Sequence, residues 1–274
     1  MSSDTVKLAF LGDVNGVPGR NVLLQRLEDL RSEHQPDLVV ANGENIRSGS
    51  GITPDLFEWL RKQGIDAVTL GDHVYRDQRI LPQLEDAAAP IARPANLSHH
   101  AAGTSLLRIP VPDGGTLWMF TLLGRIFMNL PADDPFACAD RLLESIPEQD
   151  PMVVVEVHME ATSEKVALAH HLDGRVAAVL GTHTHVPTAD ARVLSGGTAF
   201  ITDVGMCGPY DSVIGRRKEA VLHHMRTGMH APFDMASGGE AMCGCLVTIR
   251  RSTGRACAIE RFQYEADRSR APFK

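Results

Sequence analysis

The sequence VKLAFLGDVNG at residues 6–16 places a short apolar run directly before Gly, Asp and Asn. The run Lys7–Leu11 predicts a buried strand, and the regularly spaced leucines of Asn21–Ser32 predict an amphipathic helix after it. A buried strand that turns through Gly and Asp into a helix is typical of the start of a βαβ unit. This stretch therefore indicates an α/β fold with polar side chains at the end of its first strand.

The same alternation of strand and helix patterns continues along the chain. Further buried strands are predicted at Leu38–Ala41, Ala67–Leu70, Met152–Val157 and Val176–Leu180. Helices are predicted from the Thr53-Pro54 start to about Gly64, and over Ala137–Ser145 and Thr162–Leu172. Strands joined by short turns are predicted for Ser105–Ile109 with Thr116–Leu122 and for Leu246–Arg251 with Ala256–Tyr264. These pairs favour mixed sheets over one purely parallel sheet.

Length and composition indicate one large domain. The chain has 274 residues, of which 43% are hydrophobic and 22% are charged, enough to bury a sizeable core. We expect a single domain over residues 1–274. Residues 205–243 are rich in Gly, Met, His and Pro without clear periodicity, and they predict a cap or lid segment within that domain.

Charge and targeting signals exclude several classes of partner. The net charge of -7 argues against duplex nucleic acid and anionic membranes and favours a small-molecule substrate. The five cysteines lack the paired spacing of a structural zinc site. Because neither a signal peptide nor a long apolar segment is recognisable, we expect a soluble, cytoplasmic protein.

Polar residues follow each of five predicted strands. They are Asp13; Glu44 and Asn45; Asp72 and His73; His158; and His183 and His185. Open α/β sheets bind ligands at the carboxyl ends of their strands, so we expect these residues to meet at one rim. Each residue alone is explained by a turn, a helix cap or ordinary packing. Together, three carboxylates, one amide and four imidazoles have the composition of a two-metal site.

A dinucleotide-binding fold is the alternative explanation of the first turn. Gly12, Gly16 and Gly19 follow a strand and precede a helix, but their spacing is not that of the nucleotide fingerprint, and Asp13 would face the pyrophosphate. A nucleotide-dependent oxidoreductase is therefore a remote alternative. Gly16 is better explained by close approach of the backbone to a phosphate at the helix N-terminus.

The ordered series of motifs resembles the bacterial YmdB-like metallophosphoesterases, a branch of the calcineurin-like superfamily. The resemblance runs from about Lys7 to Phe262, through Gly12–Gly16, Asn42–Asn45, Gly71–His73, His158–Lys165, Gly181–Asp190 and Gly208–Gly215. It implies a four-layer α/β/β/α sandwich with mixed sheets and two metal ions per chain, iron or manganese favoured and zinc possible. It also implies phosphodiesterase activity on cyclic nucleotides, with 2',3'-cyclic nucleotides favoured.

The resemblance also implies a role for each residue at the strand ends. Asp13, Asn45 and His185 would hold the first metal; Asp72, His158 and His183 would hold the second; Glu44 would bridge both; and His73 would be the proton donor. The chain departs from the family pattern in having Asp72 where Asn is usual and Glu156 where Asp is common.

The mechanism expected from these roles is attack of a metal-bridging hydroxide on phosphorus, with His73 protonating the departing ribose oxygen. Gly16 and Tyr210 are the expected substrate-binding residues, although Tyr210 is equally well explained by packing within its own loop. Two alternatives remain: a phosphomonoesterase acting on another small phosphate ester, and a metal-binding regulatory protein whose turnover is incidental. A homo-oligomer is compatible with the sequence.

Overall fold

Two β-sheets form the centre of the computed structural model, which describes residues 4–267. The strands are β1 Thr5–Leu11, β2 Asp13–Val14, β3 Leu38–Asn42, β4 Ala67–Thr69, β5 Ile91–Ala92, β6 Leu107–Pro110, β7 Thr116–Leu123, β8 Val153–His158, β9 Ala178–Thr182, β10 Arg192–Val193, β11 Ala199–Ile201, β12 Met206–Pro209, β13 Glu240–Arg250 and β14 Ala256–Glu265. The α-helices are α1 Gly16–His34, α2 Pro54–Lys62, α3 Leu81–Glu85, α4 Pro135–Ser145, α5 Thr162–Leu172 and α6 Lys218–Thr227, with a short 3-10 helix at Gln78–Ile80.

Both sheets are mixed, as the sequence predicts. The first has the order β2-β12-β13-β1-β3-β4-β5, with β14 also paired to β13. In it, β1, β3, β4 and β5 run parallel, whereas β13 is antiparallel to β1, β12 and β14. The second has the order β10-β11-β9-β8-β7-β6, with antiparallel strands at its two ends. The carboxyl ends of β1, β3, β4, β8 and β9 carry the polar residues singled out above.

The central strands are buried on both faces. Leu8 and Phe10 of β1 belong to an apolar core that also contains Met119 of β7, from the other sheet. Leu11 belongs to a different core, which contains Leu23 of α1. A third core joins β8 and β9 with α4 and α5. Because successive side chains of a strand point to opposite faces, this alternation confirms the predicted two-sided burial.

Local signals predict the start of α2 well and that of α1 less well. Thr53 caps α2 by accepting a hydrogen bond from the backbone N–H of Leu56 (3.3 Å), and Pro54 is the first helical residue. Helix α1 begins at Gly16, five residues before the predicted Asn21. The reason is that the chain turns directly into the helix after Asn15, without an intervening loop.

Residues 205–243 are not one irregular loop. They contain β12, α6 and the first residues of β13, which begins at Glu240 rather than at the predicted Leu246. Strand β12 supplies the pairing partner for this extension, with Cys207 opposite Met242. The early start of β13 thus depends on pairing between segments about 35 residues apart. The local sequence pattern does not predict such a contact.

The ends of the predicted domain, residues 1–3 and 268–274, lie outside the described residues. Among residues 4–267, no helix combines the length and the apolar character needed to cross a bilayer.

Candidate metal centre

The residues predicted at the five strand ends lie in one cluster between the two sheets. Asp13, Glu44, Asn45, Asp72 and His73 follow strands of the first sheet. His158 ends β8 of the second sheet, and His183 and His185 follow β9. Contacts of 2.8–3.8 Å connect all eight side chains. The prediction that they share one rim is confirmed.

Four of these side chains bring nitrogen or oxygen atoms that can bind a metal close to one another. Donor atoms of Glu44, Asp72, His158 and His183 all lie within 4.8 Å of one another. The Nε2 atom of His158 lies 3.0 Å from His183 Nδ1, 3.1 Å from Asp72 Oδ1 and 3.2 Å from Glu44 Oε1. This group is the set that the resemblance implies for the second metal, together with the bridging glutamate.

The other side of the cluster is formed by Asp13, Asn45 and His185. His185 Nε2 lies 3.6 Å from Asp13 Oδ2 and 3.3 Å from Asn45 Nδ2. The amide oxygen of Asn45, the atom suited to a metal, contacts His73 Nδ1 at 2.8 Å. These three residues therefore form one contiguous group joined through His185, with the oxygen of Asn45 directed toward His73.

Each of the three histidines predicted to bind metal has one ring nitrogen in the cluster and the other against an acceptor outside it. The outer contacts are His158 Nδ1 to Thr182 Oγ1 (2.9 Å), His183 Nε2 to Glu160 Oε2 (3.2 Å) and His185 Nδ1 to the carbonyl of Ile214 (3.0 Å). An outer acceptor holds the proton on that nitrogen and leaves the inner nitrogen free to bind a metal. None of the three acceptors was singled out as a site residue from the sequence.

The turn that carries two of the histidines has an unusual backbone. His183 and His185 have φ values of +92° and +66°, a region that residues other than glycine rarely adopt. The buried carboxylate of Asp203 stabilises this turn by accepting hydrogen bonds from the backbone N–H (3.1 Å) and the hydroxyl (2.7 Å) of Thr184. Asp203 also pairs with the buried ammonium of Lys165 at 2.9 Å. Lys165 ends the His158–Lys165 motif, which was the only sequence signal for this pair.

Close packing explains why a glycine precedes Asp72. A Cβ atom on Gly71 would lie 2.3 Å from His158 Nε2 and 2.4 Å from Glu44 Oε2. Both distances are far below van der Waals contact, so any larger residue would push these side chains away from the centre.

The electrostatics of the cluster suit a bound cation. Burial raises the pKa of Asp13 to about 7, and its Oδ1 atom is buried without a hydrogen-bond partner. Burial also opposes ionisation of Glu44 and Asp72, yet the neighbouring His158 holds both pKa values well below normal. Burial alone would lower the pKa of His158, but the carboxylates, Glu44 first, raise it well above its ordinary value. Buried carboxylates that need positive charge, and one carboxylate oxygen without a partner, fit metal ions.

His73 lies at the accessible edge of the cluster, with about a quarter of its side chain exposed (24%). Its Nε2 is 3.8 Å from Asp72 Oδ2. Burial alone would lower the pKa of His73, but the hydrogen bond and charge of Glu44 raise it. The ring is thus held beside the centre while it remains open to a substrate.

The two predicted substrate-binding residues are engaged within the protein. The backbone N–H of Gly16 donates to the carbonyl of Asn45 at 3.0 Å, so that amide is not free for a phosphate. The hydroxyl of Tyr210 contacts the backbone of Met206 at 3.0 Å and Cys243 Sγ at 3.1 Å. These contacts are structural, and substrate binding by Gly16 and Tyr210 stays a prediction.

Similar proteins cover nearly the whole chain. The family model described as YmdB-like protein matches residues 9–262. The 2',3'-cyclic-nucleotide 2'-phosphodiesterase of Bacillus subtilis (strain 168) is 37% identical over 262 residues, which cover 96% of this chain and 98% of that protein. The crystal structure of a hypothetical protein from Thermus thermophilus is 43% identical, with a TM-score of 0.88 and coverage of 96% of this chain and 100% of that one. A structure described as a novel phosphatase from Mycoplasma pneumoniae is 31% identical, with a TM-score of 0.90 and coverage of 98% and 96%. By its sequence and its fold, the chain belongs to the YmdB-like family.

Proposed function

We propose that this YmdB-like chain is a metal-dependent phosphodiesterase that hydrolyses cyclic nucleotides, with 2',3'-cyclic nucleotides as the favoured substrates. The observation that carries the proposal is the convergence of Glu44 Oε1, Asp72 Oδ1 and His183 Nδ1 on His158 Nε2, at distances of 3.0–3.2 Å. The name of the Bacillus subtilis relative, which aligns over 96% of this chain, supports the same activity.

Two divalent ions would be held by this cluster, with iron or manganese favoured and zinc possible. Asp13, Asn45 and His185 would hold one ion, Asp72, His158 and His183 the other, and Glu44 both. When bound, such ions supply an activated water as nucleophile and neutralise charge on the phosphate.

The chain's own contribution to leaving-group departure would come from His73. Its Nδ1 contacts Asn45 Oδ1 at 2.8 Å, which orients the ring and leaves Nε2 to face the substrate. Because the pKa of His73 is raised, the ring keeps its proton to higher pH than a free imidazole. That property suits a residue that delivers a proton to a ribose alkoxide.

The segment of residues 205–243 would form one wall of the substrate site. Its Arg216 guanidinium donates to the carbonyls of Gly49 (2.6 Å) and Phe233 (3.2 Å), so the segment is bound to the loop after β3. The carbonyl of Ile214, from the same segment, is the outer acceptor for His185. We further propose a single domain whose helices and two sheets stack as four layers, in the order α/β/β/α.

A substrate panel with one variant tests the proposal. His73→Gln should retain metal but lose about 10²–10⁴-fold in turnover of 2',3'-cyclic AMP, whose alkoxide leaving group needs a proton. Hydrolysis of bis-p-nitrophenyl phosphate, which has a good leaving group, should fall much less. His99→Gln, at an exposed histidine, is the matched control and should behave as wild type. Equal losses on both substrates, or loss of metal, would show that His73 is not the proton donor.

A phosphomonoesterase is the second candidate, because the neighbour from Mycoplasma pneumoniae is described as a phosphatase. Rates on 2',3'-cyclic AMP, 3',5'-cyclic AMP and 3'-AMP, measured with the same metal-loaded preparation, separate the two. Faster hydrolysis of 3'-AMP than of either cyclic nucleotide would favour the phosphomonoesterase and contradict the proposed function.

A further inference from the structure

Glu156 is a fully buried carboxylate in the middle of β8. Its three hydrogen-bond donors are all uncharged: Asn42 Nδ2 (2.7 Å), Thr182 Oγ1 (2.7 Å) and Thr121 Oγ1 (2.8 Å). Within the described part of the chain, its ion-pair contact is with His158 Nδ1, at 4.0 Å. Burying a carboxylate beside neutral donors is costly, and an apolar residue would suit an otherwise valine-rich strand better. A buried carboxylate at this position therefore needs a functional explanation.

The hydrogen bonds of Glu156 determine where a proton sits on His158. Asn42 is oriented because its Oδ1 accepts from the backbone N–H of Glu44 (3.0 Å), so its Nδ2 must donate to Glu156 Oε1. That oxygen is therefore an acceptor, and the hydroxyl of Thr182 donates to it as well. With its hydrogen committed, Thr182 Oγ1 can only accept from His158 Nδ1 (2.9 Å).

The same carboxylate connects the two sheets at the centre. Asn42 ends β3 in the first sheet, whereas Glu156, Thr182 and Thr121 belong to the second. Through Asn42, Glu156 contacts the turn that carries Glu44, and through Thr182 it contacts His158. One buried group thus sets the positions of two cluster residues that come from different sheets.

We propose that Glu156 is a positioning residue that, through Thr182, holds the proton of His158 on Nδ1 and so presents the lone pair of Nε2 to the metal centre. Its contact with Asn42 fixes the position of the turn that carries Glu44 relative to His158 Nε2. The metal-binding part of this inference rests on the proposed function. The proton on His158 Nδ1 does not, because it follows from the contact of that nitrogen with Thr182 Oγ1 within the protein.

Two equivalent threonines allow a matched test. Thr182 and Thr121 are both buried, lie on strands either side of β8 and donate one hydrogen bond each to Glu156, but only Thr182 contacts His158. Thr182→Val removes the acceptor for His158 Nδ1, Thr182→Ser restores a hydroxyl, and Thr121→Val removes an equal hydrogen bond elsewhere. Glu156→Gln keeps an acceptor oxygen for Thr182 and should behave as Thr182→Ser does.

The first measurement is the position of the proton on His158. Long-range proton–nitrogen NMR spectra of metal-free protein with labelled histidine should show a proton on His158 Nδ1 in wild type and in Thr121→Val, whether or not Nε2, which faces Glu44 and Asp72, also carries one. Thr182→Val should show partial loss of the proton from Nδ1. A wild-type ring without a proton on Nδ1 would overturn the inference.

The second measurement is the affinity for Mn²⁺ alone, by competition with a fluorescent chelator. Thr182→Val should bind about 10–100-fold more weakly than wild type, as when the support of a metal-binding histidine is lost. Thr182→Ser and Thr121→Val should stay close to wild type. Equal weakening in both valine variants would show a merely structural network and overturn the inference. Failure of the wild type to bind Mn²⁺, with the proton still on Nδ1, would instead overturn the proposed function.

Discussion

Replacing Gly71 by Ala tests how closely the centre depends on packing. The substitution adds one methyl group at a residue whose φ is not left-handed, so the backbone itself tolerates alanine. The new Cβ would lie 2.3 Å from His158 Nε2 and 2.4 Å from Glu44 Oε2. Restoring van der Waals contact requires each atom to retreat by about 1 Å. A displacement of that size at a reacting centre costs about 10²-fold in rate.

The assay compares Gly71→Ala with Gly196→Ala, in which the added methyl would lie 2.7 Å from the Asp173 carboxylate, outside the cluster. Overpacking should cost each variant about 1–3 kcal/mol of unfolding free energy in urea. Only Gly71→Ala should also lose Mn²⁺ affinity and turnover of 2',3'-cyclic AMP, each by about 10²-fold. If Gly71→Ala binds Mn²⁺ and turns over as wild type does, the close approach of His158 and Glu44 is not required and the reasoning is refuted.

Three further predictions concern charged groups. Asp72→Asn removes one negative charge at 3.1 Å from His158 Nε2, so it should weaken retention of Mn²⁺ and raise turnover of 2',3'-cyclic AMP. Unchanged Mn²⁺ affinity in metal titration and unchanged turnover would show that this charge is irrelevant. Lys165→Met leaves the buried Asp203 carboxylate without its cation and should cost about 3 kcal/mol of unfolding free energy in urea. The loss should be smaller in the double variant that also carries Asp203→Asn, and a negligible loss in Lys165→Met alone would contradict the prediction. Burial acts to raise the pKa of Asp190, but hydrogen bonds from nearby threonines lower it, so this carboxylate stabilises the fold above its unfolded pKa of 3.8 and the stabilisation is lost as pH falls further. The unfolding free energy of Asp190→Asn should therefore decline less steeply with acid than that of wild type, and parallel curves of unfolding free energy against pH would refute the assignment.

The sequence was sufficient to predict which residues gather at the centre. Asp13, Asp72 and His158 each follow or end an apolar run that predicts a buried strand, and parallel strands bring their carboxyl ends to the same edge. The Thr53-Pro54 helix start is likewise predicted by local capping rules. Such features depend on neighbours in the chain, and local chemistry determines them.

Other features depend on segments that are far apart in the chain, and only the tertiary structure decided them. The early start of β13 depends on pairing with β12, and the contacts of the Tyr210 hydroxyl depend on which backbone groups lie beside it. Glu156 appears in the sequence as an isolated charge in a valine-rich strand. Its partner Asn42 is 114 positions away and belongs to the other sheet. The sequence alone determined the chemical groups and their place at the strand ends, whereas the packing of the two sheets decided which nitrogen of each histidine faces the centre, because the outer acceptors come from separate elements.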